Sequence, residues 1–163
     1  MIVRRAKQED GEAIWHVHTQ AIREIAKSHY TQAQVEAWAG RLTPQSYRKS
    51  IESRDLFVAE DTEGSIMGFG QLNQQIGEVE AVYVHPAYRR RGVGRQLLQT
   101  LEEVGRQIGL TALHLDSSLN AVAFYEYAGF TAEWQGTHIL GNGVELSCMR
   151  MTKALSVETE KAV

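Results

Sequence analysis

The hydrophobic positions of the chain change their period several times, and each change marks an element. Ile2 to Ala6 reads as a short strand. Ala13, Ile14, Val17, Ala21 and Ile25 then recur at helical spacing, with Asp10 placed to cap the helix start. A second helix is predicted over Thr31–Ala39, ended by Gly40, and Thr43-Pro44 opens a third that runs to Glu52. From Leu56 the pattern turns to strands: Leu56–Ala59, Ile66–Leu72 and Val79–Val84, with turn signals at Glu63-Gly64 and Gly77. Val93, Leu97, Leu98, Leu101, Val104 and Ile108 trace one face of a long helix, with Arg95, Glu102, Glu103 and Arg106 opposite and Gly109 as its stop. A strand at Leu113–Leu115, a helix over Asn120–Tyr127 and a strand pair, Phe130–Trp134 with Val144–Met151, complete the pattern. Gly141-Asn142-Gly143 is the turn signal between the last two.

Helices first, then a strand meander, then strand–helix–strand predict an α+β or α/β domain built on one sheet. The chain has 163 residues, enough for one compact domain, read as residues 1–153 with a polar tail over residues 154–163. Its 43% hydrophobic and 23% charged residues are ordinary for a soluble globular protein. A formal charge of −3 offers no broad cationic surface, so neither nucleic acid nor an anionic membrane is expected as a partner. Cys148 is the only cysteine, which excludes an internal disulfide framework, and its alternating surroundings make it a small packed hydrophobe. No apolar run resembles a signal peptide or a membrane span, so a cytoplasmic location is expected.

The chemistry concentrates between Val82 and Leu98. A strand runs out at Val84, a short basic loop follows, and glycines open the long helix. Gly92 and Gly94 let the backbone approach a ligand closely, and free N–H groups at a helix start, reinforced by the macrodipole, favour an anion. Arg89, Arg90, Arg91 and Arg95 add positive charge there. The nucleotide-binding patterns Gly-x-x-x-x-Gly-Lys-Ser/Thr and Gly-x-Gly-x-x-Gly are both absent. A phosphate-bearing ligand at a strand-to-helix turn is favoured over the other reading, a solvated basic turn whose glycines serve only as a helix entry.

Arg89-Arg-Arg-Gly-Val-Gly94 resembles the basic Gly-x-Gly signature of the GCN5-related N-acetyltransferase superfamily. Asn120-Ala-Val-Ala-Phe-Tyr-Glu-Tyr-Ala-Gly-Phe130 resembles a second motif of that family, and the order of elements from Ile2 to Met151 is similar as well. The resemblance implies a single mixed, mostly antiparallel central sheet flanked by helices, the three-layer acyl-CoA acyltransferase fold. It implies acetyl-CoA as co-substrate, with backbone groups from Arg89 through Val93 to Arg95 on the pyrophosphate. Val82, Tyr83 and Val84 would lie along the cofactor arm, the Val82 N–H polarising the thioester carbonyl and Asn120 contacting the arm. Tyr125 matches the tyrosine that protonates the departing thiolate, although Phe124 and Tyr125 also suit a packed aromatic core. Some relatives pair as homodimers through their closing strands, which leaves that assembly open here.

Glu78 and Glu80 are the candidates for general base, since an amine must lose a proton to attack a thioester. In a regular strand they share a face with Val82 and Val84; a bulge would leave only one of them facing the cleft. In the family the early helices wall the acceptor pocket, which implicates Trp15, Tyr30 and Trp38, while the histidines of this stretch, His18 among them, read as surface or internally satisfied groups. No cluster has metal-ligand spacing, so no metal is expected. The predicted reaction is direct transfer to an amine, of a small molecule or of a peptide. A binding module that holds acyl-CoA without turnover is the alternative.

Overall fold

The computed structural model describes residues 1–156. Seven strands, β1 (Ile2–Arg5), β2 (Leu56–Glu60), β3 (Ile66–Asn73), β4 (Glu78–Val84), β5 (Ala112–Ser118), β6 (Thr131–Ile139) and β7 (Glu145–Ala154), form one sheet in the order β1-β2-β3-β4-β5-β7-β6. Only the β4–β5 pairing is parallel; the others are antiparallel. The helices are α1 (Gly11–Ile25), α2 (Gln32–Gly40), α3 (Arg48–Glu52), α4 (Val93–Gln107) and α5 (Val122–Tyr127). This is the expected mixed, mostly antiparallel sheet with helices on both faces.

On one face, α1 sets Ile14 and Val17 against Leu56, Val58 and Phe69. On the other, α4 presses Leu98, Leu101 and Val104 onto Leu72, Val79 and Leu113. The close approach of α4 depends on Gly68 in β3. A Cβ there would lie 2.7 Å from the Tyr83 carbonyl oxygen and 3.1 Å from side-chain atoms of Leu97 and Val93. No helix among the described residues is long and apolar enough to cross a membrane.

Several expectations need correction. Asp10 does not cap α1. It ends a 3-10 turn, Gln8–Asp10, and its carboxylate accepts from the Lys7 N–H (2.7 Å) and from Arg4 (2.8 and 3.1 Å), tying the helix entry to β1. Burial pushes that carboxyl up, but the hydrogen bonds from Arg4 and Lys7 outweigh it and hold it below the usual range. Glu102, placed by periodicity on the polar face of α4, is 6% exposed, because Lys153 of β7 reaches across to it at 2.8 Å while also donating to the Ala128 carbonyl at 2.7 Å. The tail begins later than Ala154. That residue closes β7, and Leu155 is buried in the core beside Gly105. Residues 157–163 of the expected tail lie outside the described residues.

Gly68→Ala should lower unfolding stability by about 1–3 kcal/mol, the usual cost of forcing an extra methyl into a packed site. Chemical denaturation at constant m-value measures it; an unchanged midpoint would mean that α4 can retreat from the sheet without loss.

Candidate active site

The sheet is split at its centre. The parallel pairing of β4 with β5 is confined to Glu78 opposite His114, where the His114 N–H donates to the Gly77 carbonyl at 2.9 Å. Beyond that point the two strands diverge. On the other edge of β4 the ladder to β3 continues to its end, where His85 N–H donates to the Met67 carbonyl (2.9 Å). Antiparallel alternation then turns the backbone N–H and C=O of Val82 and Val84 away from β3, into the gap toward β5. Buried backbone groups need partners, so this gap is built to take one.

The gap opens into a cavity of about 720 Å³, lined by Val82, Tyr83 and Val84 on one side and by Ser118, Asn120 and Phe124 on the other. Its far end is the basic loop, with Arg89, Arg90, Gly92, Val93, Gly94 and Arg95. Gly92 caps α4 in the left-handed region (φ 77°), Arg90 is also left-handed (φ 60°), and no side chain caps the helix. The first free helical N–H groups therefore face the loop, and among the described residues none of these arginines is ion-paired. Arg91 is the exception to the expected set: its guanidinium lies over the Tyr88 ring, 5.5 Å from the centroid, and its side chain does not line the cavity. Asn120 carries a buried Oδ1 with no hydrogen-bond partner among the described residues. An unpaired acceptor beside unpaired strand amides, with a cationic helix start beyond, fits a long amide-bearing ligand that ends in phosphates.

A second cavity, of about 400 Å³, meets the first at Trp38, Tyr83 and Ser118. Glu78 and Glu80 both line it. They do so because of a bulge. The register to β3 slips between Gln71, opposite Ala81, and Leu72, opposite Val79, leaving Glu80 as the extra residue. The bulge restores both glutamates to one side while Val82 and Val84 pack against Val93 and Leu97 on the other. The expectation that all four share a face fails for that reason, as does the expectation that a bulge would leave only one glutamate in the cleft.

The two carboxylates differ in their partners. Glu78 is held by Arg150 through two hydrogen bonds, at 2.7 and 3.1 Å, and Arg150 also meets Asp116 at 3.4 Å. The bond to Glu78 holds the Arg150 guanidinium above its usual pKa. Glu80 is exposed and accepts only from neutral amides, those of Gln71 and Asn73.

Tyr30 and Trp38 line the second cavity. Tyr30 also ties its walls together, donating to the Ser147 carbonyl (2.7 Å) and accepting from the Leu119 N–H (2.9 Å). Trp15 lines neither cavity. Its indole donates to the Leu42 carbonyl at 3.0 Å, so it braces α1 against the end of α2. Tyr125 also stays off both walls. It is 6% exposed, edge-on to Phe124 and Phe130, and burial raises its hydroxyl pKa.

Among the lining residues that sequence reasoning did not assign to the site, two carry polar chemistry on the helical side of the smaller cavity. Arg41 follows Gly40 at the end of α2, and His18 lies on α1, 8% exposed, with its Nε2 unpartnered. The sequence did carry a signal for His18, a titratable residue four positions from Ile14 and from Ile22 on an otherwise apolar helix face.

A mixed sheet split beside a basic helix start defines an acyl-CoA acyltransferase fold. A family model described as an acetyltransferase (GNAT) domain matches residues 26–153. A solved GCN5-related N-acetyltransferase from Rhodopseudomonas palustris is 28% identical, superposes with a TM-score of 0.83 and is matched over 94% of this chain and 95% of its own. A Salmonella typhimurium protein solved with its cofactor acetyl-CoA is 23% identical at a TM-score of 0.70, covering 98% of this chain and 96% of that one. By sequence, a glucosamine 6-phosphate N-acetyltransferase of Trypanosoma brucei brucei is 39% identical over 64 residues, 39% of this chain and 44% of that protein. A thialysine N-epsilon-acetyltransferase of Caenorhabditis elegans is 27% identical over 111 residues, 64% of this chain and 69% of that one. The chain belongs to the GNAT acetyltransferase family and is an acyltransferase of that type.

Replacing Gly92 with Val should weaken coenzyme A binding about tenfold or more, because a β-branched residue resists the left-handed conformation that aims the loop. Calorimetric titration reads this directly. Unchanged affinity would remove the loop from the cofactor site.

Proposed function

We propose that the chain transfers an acetyl group from acetyl-CoA directly to the primary amine of a small molecule. The observation that carries this reading is the junction of the two cavities at Trp38, Tyr83 and Ser118. An acyl chain laid along β4 would meet there an acceptor held in the smaller space. That space, about 400 Å³, is in the range of small-ligand pockets and is walled by α1, α2 and β7.

Acetyl-CoA supplies an activated thioester. Val82, with its N–H turned into the gap, provides a fixed dipole where negative charge develops on the carbonyl oxygen, and a preoriented dipole needs no reorganisation. Glu80 takes the proton of the attacking amine. Glu78 is the weaker candidate, since both its carboxylate oxygens are already engaged by hydrogen bonds from Arg150. Tyr125, packed edge-on behind Phe124 of the larger cavity's wall, is the proposed source of the proton for the sulfur; burial keeps its hydroxyl protonated, and that hydroxyl makes no hydrogen bond among the described residues. Asn120 Oδ1 accepts from an amide of the cofactor arm, and the helix start with Arg89, Arg90 and Arg95 takes the phosphates. Cys148 lines the acceptor cavity, but burial raises its pKa and keeps it a thiol, which favours direct transfer over an acyl-enzyme.

Glu80→Gln should lower kcat about 100-fold with little change in acetyl-CoA affinity, the usual weight of a general base. Glu78→Gln should cost less. Tyr125→Phe should lower kcat about tenfold; loss of cofactor affinity to the same extent would identify a packing residue instead. Thiol release against a panel of small amines and peptides tests the reaction itself. Preference for a peptide amine would overturn the small-molecule half of the reading, and binding of acetyl-CoA without any thiol release would overturn turnover altogether.

A further inference from the structure

Two groups of the acceptor cavity have no role in the acetyl transfer described above. His18 is more than nine-tenths buried, and its Nδ1 lies 2.9 Å from the Tyr47 hydroxyl. Tyr47 is itself 4% exposed, and its hydroxyl makes no other hydrogen bond among the described residues. If Nδ1 carried the proton, the Tyr47 O–H would have no acceptor and Nε2 would be an empty acceptor, leaving two buried groups unsatisfied. If Tyr47 donates to Nδ1, the proton sits on Nε2, and only that N–H is left over. The second arrangement costs one fewer buried polar group, so it prevails. His18 therefore carries a buried N–H donor, unpartnered among the described residues, on a side chain that lines the cavity.

The ring is held in that pose from three sides. Tyr83 lies 4.3 Å away between centroids, Phe69 edge-on at 5.2 Å and Tyr47 at 5.9 Å. Burial, with the charge of Arg41 behind it, lowers the His18 pKa to about 3, so the imidazole is neutral at physiological pH and acts as a donor rather than a base. Arg41 lines the same cavity, is exposed to it and forms no ion pair among the described residues. The other charged groups facing this space are Glu78, Glu80, Asp116 and, when protonated, His138. Glu78 and Asp116 are already engaged by Arg150. Among the described residues the cavity thus carries an uncompensated cation just past α2, an unpaired donor on α1, and on β4 a carboxylate, Glu80, without a cationic partner.

The geometry points to an acceptor that is a small amine bearing its own anionic group, with carboxylate or phosphate oxygens taken by Arg41 and the His18 Nε2–H while the amine faces Glu80. This rests on the acetyl-transfer reading for the identity of the reacting end. It adds the chemistry of the other end, which that reading leaves open. A neutral amine would leave the His18 N–H buried without a partner and the Arg41 charge uncompensated, and sites built around a hydrogen-bonded group reject analogues that lack it.

The test uses matched pairs in the full-length protein. L-amino acids are compared with their amides for a carboxylate, and glucosamine 6-phosphate with glucosamine for a phosphate. Thiol release gives kcat/KM, and thermal stabilisation in the presence of coenzyme A gives binding without turnover. At least one pair should favour its anionic member by about 10- to 100-fold, the weight of a charge-assisted hydrogen-bonded contact. Which pair does so identifies carboxylate or phosphate. In Arg41→Met that ratio should collapse toward one, mainly through KM, while Arg41→Lys should keep part of it. His18→Phe, which fills the space without the donor, should lower the ratio, and His18→Asn, which restores an N–H, should recover some of it. If neutral members are used and bound as well as anionic ones, or if Arg41→Met leaves the ratio intact, the assignment is wrong. Failure of acetyl transfer itself shows separately, as no thiol release from any amine, and the binding ratios still decide the anion site.

Discussion

Everything at this site follows from the failure of β4 and β5 to stay paired. A parallel pair in mid-sheet would ordinarily satisfy the backbone of both strands along their length. Here one pairing, Glu78 with His114, is followed by divergence, and the amides of Val82 and Val84 are left pointing into space. Leaving such groups dry would be costly, so the fold is completed by whatever lies in the gap. The cleft is a structural consequence of the sheet itself, and side chains only select what fills it.

The Glu80 bulge works with that divergence. It inserts one residue into β4, turning Glu78 and Glu80 to the α1 side while Val82 and Val84 face α4. One strand thereby serves two purposes: its valines seat the helix that carries the basic loop, and its glutamates look into the acceptor space. Gly68 contributes from the neighbouring strand, since α4 can only sit this near the sheet where no Cβ intervenes.

The electrostatics divide along the same line. The larger cavity is positive at one end, where free helix amides meet arginines that form no ion pair among the described residues. The acceptor cavity is mixed. Arg150 neutralises Glu78 and approaches Asp116, which singles out Glu80 on one wall, while Arg41 and His18 stand uncompensated on another. Tyr83 lies between the two spaces and packs on His18, so the conformation of β4 is felt on both sides.

Local pattern and spacing were enough to locate the strands, the long helix, the glycine–arginine loop and the two glutamates of β4, because each depends on residues near one another in the chain. Periodicity reads the inward face of α4, and Gly92 beside the arginines reads as a helix start that seeks an anion. Long-range placement was decided only by the tertiary structure. Trp15 became a brace on the Leu42 carbonyl, Glu102 was drawn inward by Lys153 from another element, and Leu155 joined the core. The same holds for the bulge that turns both glutamates into one cavity, for Arg150 disarming Glu78, and for Tyr47 fixing the proton of His18. The bulge is a matter of register between neighbouring strands; each of the others depends on a partner tens of residues away, and no local propensity records which distant side chain will arrive there.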